Sequence, residues 1–159
     1  MTTVIALADG SRGLEALYRE DGARLWRALL AFAGDPEVAS DAVAEAYAQA
    51  IHRGDAVRNP KAWIWRASFR IAAGELKLRS STTDRLPDVG YLTEEVDTEL
   101  LDALAKLPPK QRAAVVLFYY ADASVRDIAQ RIGISQISVR VHLSRGRARL
   151  KGLLGDEHD

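Results

Sequence analysis

The chain has 159 residues, with 22 Lys plus Arg set against 22 Asp plus Glu, three histidines and no cysteine. That length fits one ordinary domain or two small ones, and the lack of cysteine excludes disulfides and Cys-ligated metal or cluster sites. His52, His142 and His158 are too scattered for a usual metal constellation. No apolar run approaches the ~20 residues of a membrane span, and Met1–Asp9 has no Lys or Arg ahead of its short apolar stretch, unlike a signal peptide. The expectation is a protein of a reducing, cytoplasmic compartment, with no metal and no cofactor.

The zero net charge conceals segregation. Arg53–Arg79 holds seven bases against two acids, Asp84–Asp102 holds seven acids against Arg85, and Arg126–Lys151 holds seven bases against Asp127. Two basic blocks flanking an acidic one are either solvated faces or the footprint of a polyanionic partner.

The periodicity is helical throughout and predicts an all-α fold. Leu14, Leu17, Tyr18, Leu25, Trp26, Leu29 and Leu30 form the stripe of a first helix that stops near Gly34. Asp35-Pro36 is a carboxylate cap followed by proline where a missing N–H is harmless. It opens a second helix, carrying Val38, Val43, Ala46, Tyr47, Ala50 and Ile51 and ending near Gly54. Asn59-Pro60 repeats the signal for a third helix through Trp63, Ile64, Ala67, Ile71 and Leu76. Beyond Arg79, a polar stretch with Pro87 and Gly90 reads as a flexible acidic linker. The expected layout is two small helical domains, 1–79 and 99–159, joined by residues 80–98.

In the second half, Leu100, Leu101, Leu104 and Leu107 make a helix broken at Pro108-Pro109, which starts another carrying Ala113, Val116, Leu117 and Tyr120. Ser124-Val125-Arg126-Asp127 predicts a capping box with Asp in the place of the usual Glu, for a short helix with Ile128 and Ala129 that halts at Gly133. Ser135 caps a last helix holding Ile137, Val139, Leu143 and Leu150. Gly146 within it is expected to weaken the helix by about 1 kcal/mol relative to Ala.

Residues 124–150 have the arithmetic of a helix-turn-helix: a small residue, Ala129, where the helices approach, and Gly133 at the corner. In such a unit the second helix enters the major groove, which places Ser135, Gln136, Ser138, Arg140 and Val141 at base edges. Arg can grip guanine bidentately, Gln can pair with adenine, and Val can meet the thymine methyl. Arg126, His142, Arg145, Arg147 and Arg149 would lie over phosphates. The plain alternative is a basic amphipathic helix on a helical bundle that binds nothing.

Leu107-Pro108-Pro109-Lys110-Gln111-Arg112, Val125-Arg126-Asp127-Ile128-Ala129, Gly133-Ile134-Ser135 and Ser138-Val139-Arg140 through Arg145-Gly146-Arg147-Ala148-Arg149-Leu150 strongly resemble region 4 of the bacterial sigma-70 family. The likeness is to the small extracytoplasmic-function (ECF) sigma factors, which have only regions 2 and 4. Residues 14–79 resemble region 2 more loosely. The resemblance implies a −35-reading helix-turn-helix and a clamp-binding helix at Ala39–Tyr47, with Asp41 and Glu45 toward RNA polymerase. It also implies a −10-reading and melting surface of Arg53, Asp55, Arg58, Lys61, Trp63, Trp65, Arg66 and Arg70. Trp63, Trp65 and Phe69 interleaved with Arg66 and Arg70 would offer stacking faces beside cations, as single-stranded DNA requires. Side chains two apart on a helix point to different faces, so one of the two tryptophans is expected in the core.

The sequence departs from the family's pattern at Ser40, Ala44, Ser68-Phe69-Arg70, Asp127, Val141, His142 and Gly146. The resemblance implies a sigma factor with the polymerase core (clamp and flap) and promoter DNA as partners, and an anti-sigma protein as a further one. A sigma-like DNA-binding regulator that has lost core binding is the second reading. No phosphate-binding glycine loop, nucleophile elbow or His–carboxylate spacing appears, so no catalytic residue is assigned and an enzyme is the weakest class.

Overall fold

Apolar stripes of this period are buried only when several helices turn them toward one another. The computed structural model describes the backbone of residues 2–80 and 98–155 and the side chains of residues 12–79 and 98–155. Among the described residues there are seven α-helices and no strand, as the all-α expectation requires. They are α1 (Thr2–Ala33), α2 (Pro36–Arg53), α3 (Pro60–Ser80), α4 (Thr98–Ala105), α5 (Pro109–Tyr120), α6 (Val125–Ile132) and α7 (Gln136–Leu154). Gly54–Ala56 forms a single 3₁₀ turn. The acidic linker expected at 80–98 lies outside the described residues except for its two ends.

Local chemistry sets the helix boundaries. Asp35 Oδ1 accepts the Glu37 N–H at 2.9 Å, Pro36 fills the first turn of α2, and Gly54 ends it at φ 57°. The second Asp35 oxygen pairs with Arg79, tying the start of α2 to the end of α3. Asn59 Oδ1 accepts the Ala62 N–H at 3.2 Å and opens α3. Only α1 departs from its expected extent, beginning at Thr2 rather than near Leu14. Once nucleated, a helix adds one hydrogen bond per residue and can outrun the stripe that buries it.

Leu25, Leu29 and Leu30 of α1, Val38, Ala42 and Ala46 of α2, and Ile64 and Trp65 of α3 form the first part of the core. Leu101, Leu104, Leu107, Val116, Leu117, Ile128, Val139 and Leu143 form the second, and the two are continuous. The seam between them is held by arginines. Arg24 Nε donates to the Tyr120 carbonyl at 3.1 Å, and its guanidinium also pairs with Asp122. Arg112 donates to the Phe32 carbonyl at 2.9 Å and to that of Leu107 at 3.1 Å, with its guanidinium 5.5 Å over the Phe32 ring. Burial draws the pKa of Arg112 down, yet arginine stays charged, so the carbonyl oxygens replace its lost water.

Gly146 corrects an expectation. It is buried where α7 crosses α5, and a Cβ there would lie 2.7 Å from Val115 Cγ2 and 3.5 Å from the Gln111 carbonyl oxygen. The missing side chain therefore sets the helix–helix distance and is no simple weak point. Gly146→Ala is expected to lower the thermal midpoint, with the overlap outweighing a propensity gain of about 1 kcal/mol for a net loss of about 1–2 kcal/mol. Combined with Val115→Ala, it should lose less than the sum of the two single changes. Circular dichroism melts decide; a Gly146→Ala midpoint at or above that of the parent would rule out close packing here.

Candidate nucleic-acid interface

The α6–α7 unit is built by its caps. Ser124 Oγ accepts the Asp127 N–H at 3.1 Å while Asp127 Oδ2 accepts the Ser124 N–H at 3.3 Å, closing the expected capping box. These bonds hold the Asp127 carboxyl below its usual range, the Ser124 hydroxyl contributing most. Gly133 turns the corner in the left-handed region, φ 80° and ψ 36°, a conformation open to glycine without penalty. Ser135 Oγ then accepts the Ser138 N–H at 3.1 Å and starts α7. Ile128, Val139 and Leu143 are buried beneath the unit.

What α7 leaves outward is close to the expectation. Ser135, Gln136, Arg140, Val141, Arg145 and Arg149 are exposed, as is Arg126 on α6; Ser138 is half-buried. Two side chains differ. Arg147 Nε donates to the Tyr119 hydroxyl at 2.8 Å, and its guanidinium lies 4.9 Å from the Phe118 ring. It is exposed, and its guanidinium rests on α5. His142 is half-buried with its Nδ1 enclosed and without a partner, so it is not the outward-facing group expected.

Ile137 is the residue that the apolar stripe misassigned. It is 74% exposed and lines a shallow surface cleft with Arg140, Val141, Ser144 and Arg145. The signal was present in the spacing: Val139, Leu143, Gly146 and Leu150 follow one helical row, and Ile137 falls outside it. Ile137 and Val141, one turn apart, put two branched apolar groups between cations, a surface able to meet thymine methyl groups.

On α3 the two tryptophans part company. Trp63 is half-buried with the Arg53 guanidinium 5.6 Å from its ring, at the mouth of a cavity of about 500 Å³ shared with Arg58, Lys61 and Arg66. Trp65 is 1% exposed and donates its indole N–H to Asp21 Oδ2 at 2.7 Å. Its ring stacks on Phe69 at 6.2 Å and is covered by the Arg131 guanidinium at 5.5 Å. Trp65 and Phe69 are thus withdrawn from the expected stacking surface, because one face of a helix two residues along from Trp63 points inward. Arg53, Asp55, Arg58, Lys61, Arg66 and Arg70 remain exposed.

On α2, Asp41 and Glu45 are exposed, with Glu45 accepting from Gln49 at 3.0 Å. The two departures from the family's pattern meet in one place. Ser40 and Ala44 line an apolar groove between α1 and α2 with Tyr18, Trp26, Tyr47 and Ile51, and Ser40 Oγ accepts the Trp26 indole N–H at 3.0 Å. The Tyr47 hydroxyl is pushed up to about 12 by burial and then by Asp21 and Tyr18, so it stays neutral. Among the described residues, no His and carboxylate group could hold a metal, and no helix is long and apolar enough to cross a membrane.

Comparison with known proteins agrees with this geometry. Residues 97–150 match the family model described as sigma-70, region 4. The chain is 31% identical over 147 residues to the ECF RNA polymerase sigma factor SigL of Mycobacterium tuberculosis, covering 82% of each chain. It is also 31% identical over 153 residues to SigM of the same organism, covering 89% of this chain and 76% of that one. Among solved structures, CnrH in complex with the cytosolic domain of CnrY superposes with a TM-score of 0.74 at 22% identity, over 96% and 94% of the two chains. The sigma factor RpoE with the anti-sigma factor NepR from Bartonella quintana gives 0.70 at 20% identity, over 89% and 98%. The likeness to these two is one of fold.

The unequal burial of the tryptophans has a measurable consequence. Trp65→Ala should destabilise the chain by about 3–5 kcal/mol, whereas Trp63→Ala should leave the melting temperature nearly unchanged and weaken single-stranded DNA binding by ~1–3 kcal/mol. Thermal melts and fluorescence titration with an oligonucleotide test both; equal destabilisation by the two changes would contradict the assignment.

Proposed function

The chain belongs to the ECF group of the sigma-70 family, and from that premise we propose that it binds RNA polymerase core and directs promoter-specific initiation in the bacterial cytoplasm. Its helix-turn-helix reads the −35 element, and the exposed face of α3 with the turn before it reads and melts the −10 element. The observation that carries this reading is the doubly capped, glycine-cornered α6–α7 unit with Ile137, Arg140, Val141 and Arg145 outward. Base edges would meet Gln136, Ile137, Arg140 and Val141, while Arg126, Arg145 and Arg149 sit over phosphates. Arg53, Arg58, Lys61, Trp63, Arg66 and Arg70 would receive the opened strand. No step of this activity needs a catalytic side chain.

Elements centred near −35 and −10 are about 25 base pairs apart, or ~85 Å of B-form duplex at 34–36 Å per turn. A compact chain of this length has a radius of gyration of about 15 Å. Reading both elements at once therefore requires the halves to part along the Arg24–Arg112–Arg131 seam. An anti-sigma partner that favours the closed arrangement would silence the factor, and the two solved relatives are complexes with such partners or with a cytosolic domain.

Ser40 and Ala44 favour a second reading, in which core binding is altered and the chain acts as a sigma-like regulator of DNA. Transcription in vitro with core polymerase on a promoter library separates the two. Asp41→Arg with Glu45→Arg should abolish co-purification with core and leave duplex binding intact; retained transcription would place the contact elsewhere. On duplex DNA, Arg145→Ala should weaken all sequences alike and reduce the salt slope by about one. Arg140→Ala should relax preference at one base pair, by ~1–3 kcal/mol. A sequence preference that follows Arg145 and ignores Arg140 would show that α7 docks differently.

A further inference from the structure

Between the two halves lies a cavity of about 420 Å³, with Arg66 and Arg70 of α3 on one side and Lys110 and Arg131 of the second half on the other. Its floor is apolar, including Phe32 and Phe69, whose rings are 5.2 Å apart. No carboxylate lines it, and none of the four cations is in an ion pair with another described residue. Asp127, four residues before Arg131 on α6, closes the capping box, and its charge also acts on Arg131, as does that of Asp21. Arg131 Nη1 is enclosed with no hydrogen-bond partner. The guanidinium lies 5.5 Å over the Trp65 ring, and burial pulls the pKa of Arg131 down while Asp127 and Asp21 act to raise it.

We propose that this cavity is a binding site for a small oligophosphate, held by Arg66, Arg70, Lys110 and Arg131 while the two halves are together. Four cations around one space repel one another until an anion of matching charge enters, and arginine forks suit phosphate oxygens bidentately. The N-terminus of α5, which opens on the same cavity at Pro109, adds its partial positive charge. The volume lies within the ~300–1,000 Å³ of small-molecule sites, and the Phe32–Phe69 floor gives a flat apolar moiety a place beside the phosphates. The ligand is therefore either an inorganic oligophosphate or the phosphate chain of a nucleotide. Because its cations come from both halves, the site exists only in the closed arrangement. On the promoter reading above, its occupant would hold Arg66 and Arg70 away from the −10 strand.

Calorimetric titration of the full chain, at fixed ionic strength, with orthophosphate, pyrophosphate, tripolyphosphate and ATP tests this. The expected result is one saturable site per chain, with pyrophosphate and ATP each bound at least ~tenfold more tightly than orthophosphate. Lys110→Gln and Arg131→Gln should each weaken binding about tenfold, while Arg19→Gln, on the outer face of α1, should not. Lys110 is exposed, so its variant keeps the test decisive even if Arg131→Gln folds poorly. ATP binding more tightly than inorganic tripolyphosphate, which has the same phosphate chain, identifies a nucleotide held also by its base; otherwise the inorganic group suffices. Absence of saturable binding, more than one ion per chain, or affinities untouched by both variants would overturn the proposal. Polymerase and promoter take no part, so that outcome would leave the promoter reading standing.

Discussion

A buried carboxylate, Asp21 on α1, receives the indole N–H of Trp65 on α3, and the packing of three helices turns on that contact. Asp21 is 7% exposed, and only Lys61, at 4.0 Å, approaches it as a cation among the described ion pairs. A hydrogen bond to a buried charged group contributes about 1.5–3 kcal/mol, which favours one rotation of α3 about its own axis. With that rotation set, Trp65 and Phe69 face inward and Trp63, Arg66 and Arg70 face outward. The outward set is then decided by a single hydrogen bond on the opposite side of the helix.

The same indole is where the second half of the chain attaches. Arg131 of α6 lies over the Trp65 ring, and Arg112 of α5 reaches the carbonyl at the end of α1. These polar and cation–aromatic contacts rim an apolar zone in which the two parts of the core are continuous. On the proposed promoter reading, the halves part along this seam when the two surfaces engage separate stretches of DNA.

Charge distribution follows the same division of labour. A chain of zero net charge has little long-range attraction for nucleic acid, yet each half presents a basic face. Association is then governed by local patches over roughly a Debye length, ~8–10 Å at physiological salt. Where the two faces meet, Arg66, Arg70, Lys110 and Arg131 line one cavity whose own lining includes no carboxylate. Some cations elsewhere are paired or stacked, Arg79 with Asp35 and Arg147 on Phe118 and Tyr119.

By itself the sequence determined what depends on neighbours along the chain. Asp35-Pro36, Asn59-Pro60, Pro108-Pro109, the Ser124–Asp127 box, Gly133 and Ser135 act within a few residues of backbone, so helix number, the boundaries other than the start of α1, and the helix-turn-helix could be read directly. The outward character of Gln136, Arg140, Val141 and Arg145 followed from the same period. What only the tertiary structure decided is each case where a distant residue chooses between equivalent local options. Asp21 selects Trp65 over Trp63 for the core, Val115 makes Gly146 a contact point, and Tyr119 and Phe118 hold the Arg147 guanidinium on α5. Helical period gives the angle between side chains but not the rotation of the helix, and rotation is set by partners far away in sequence.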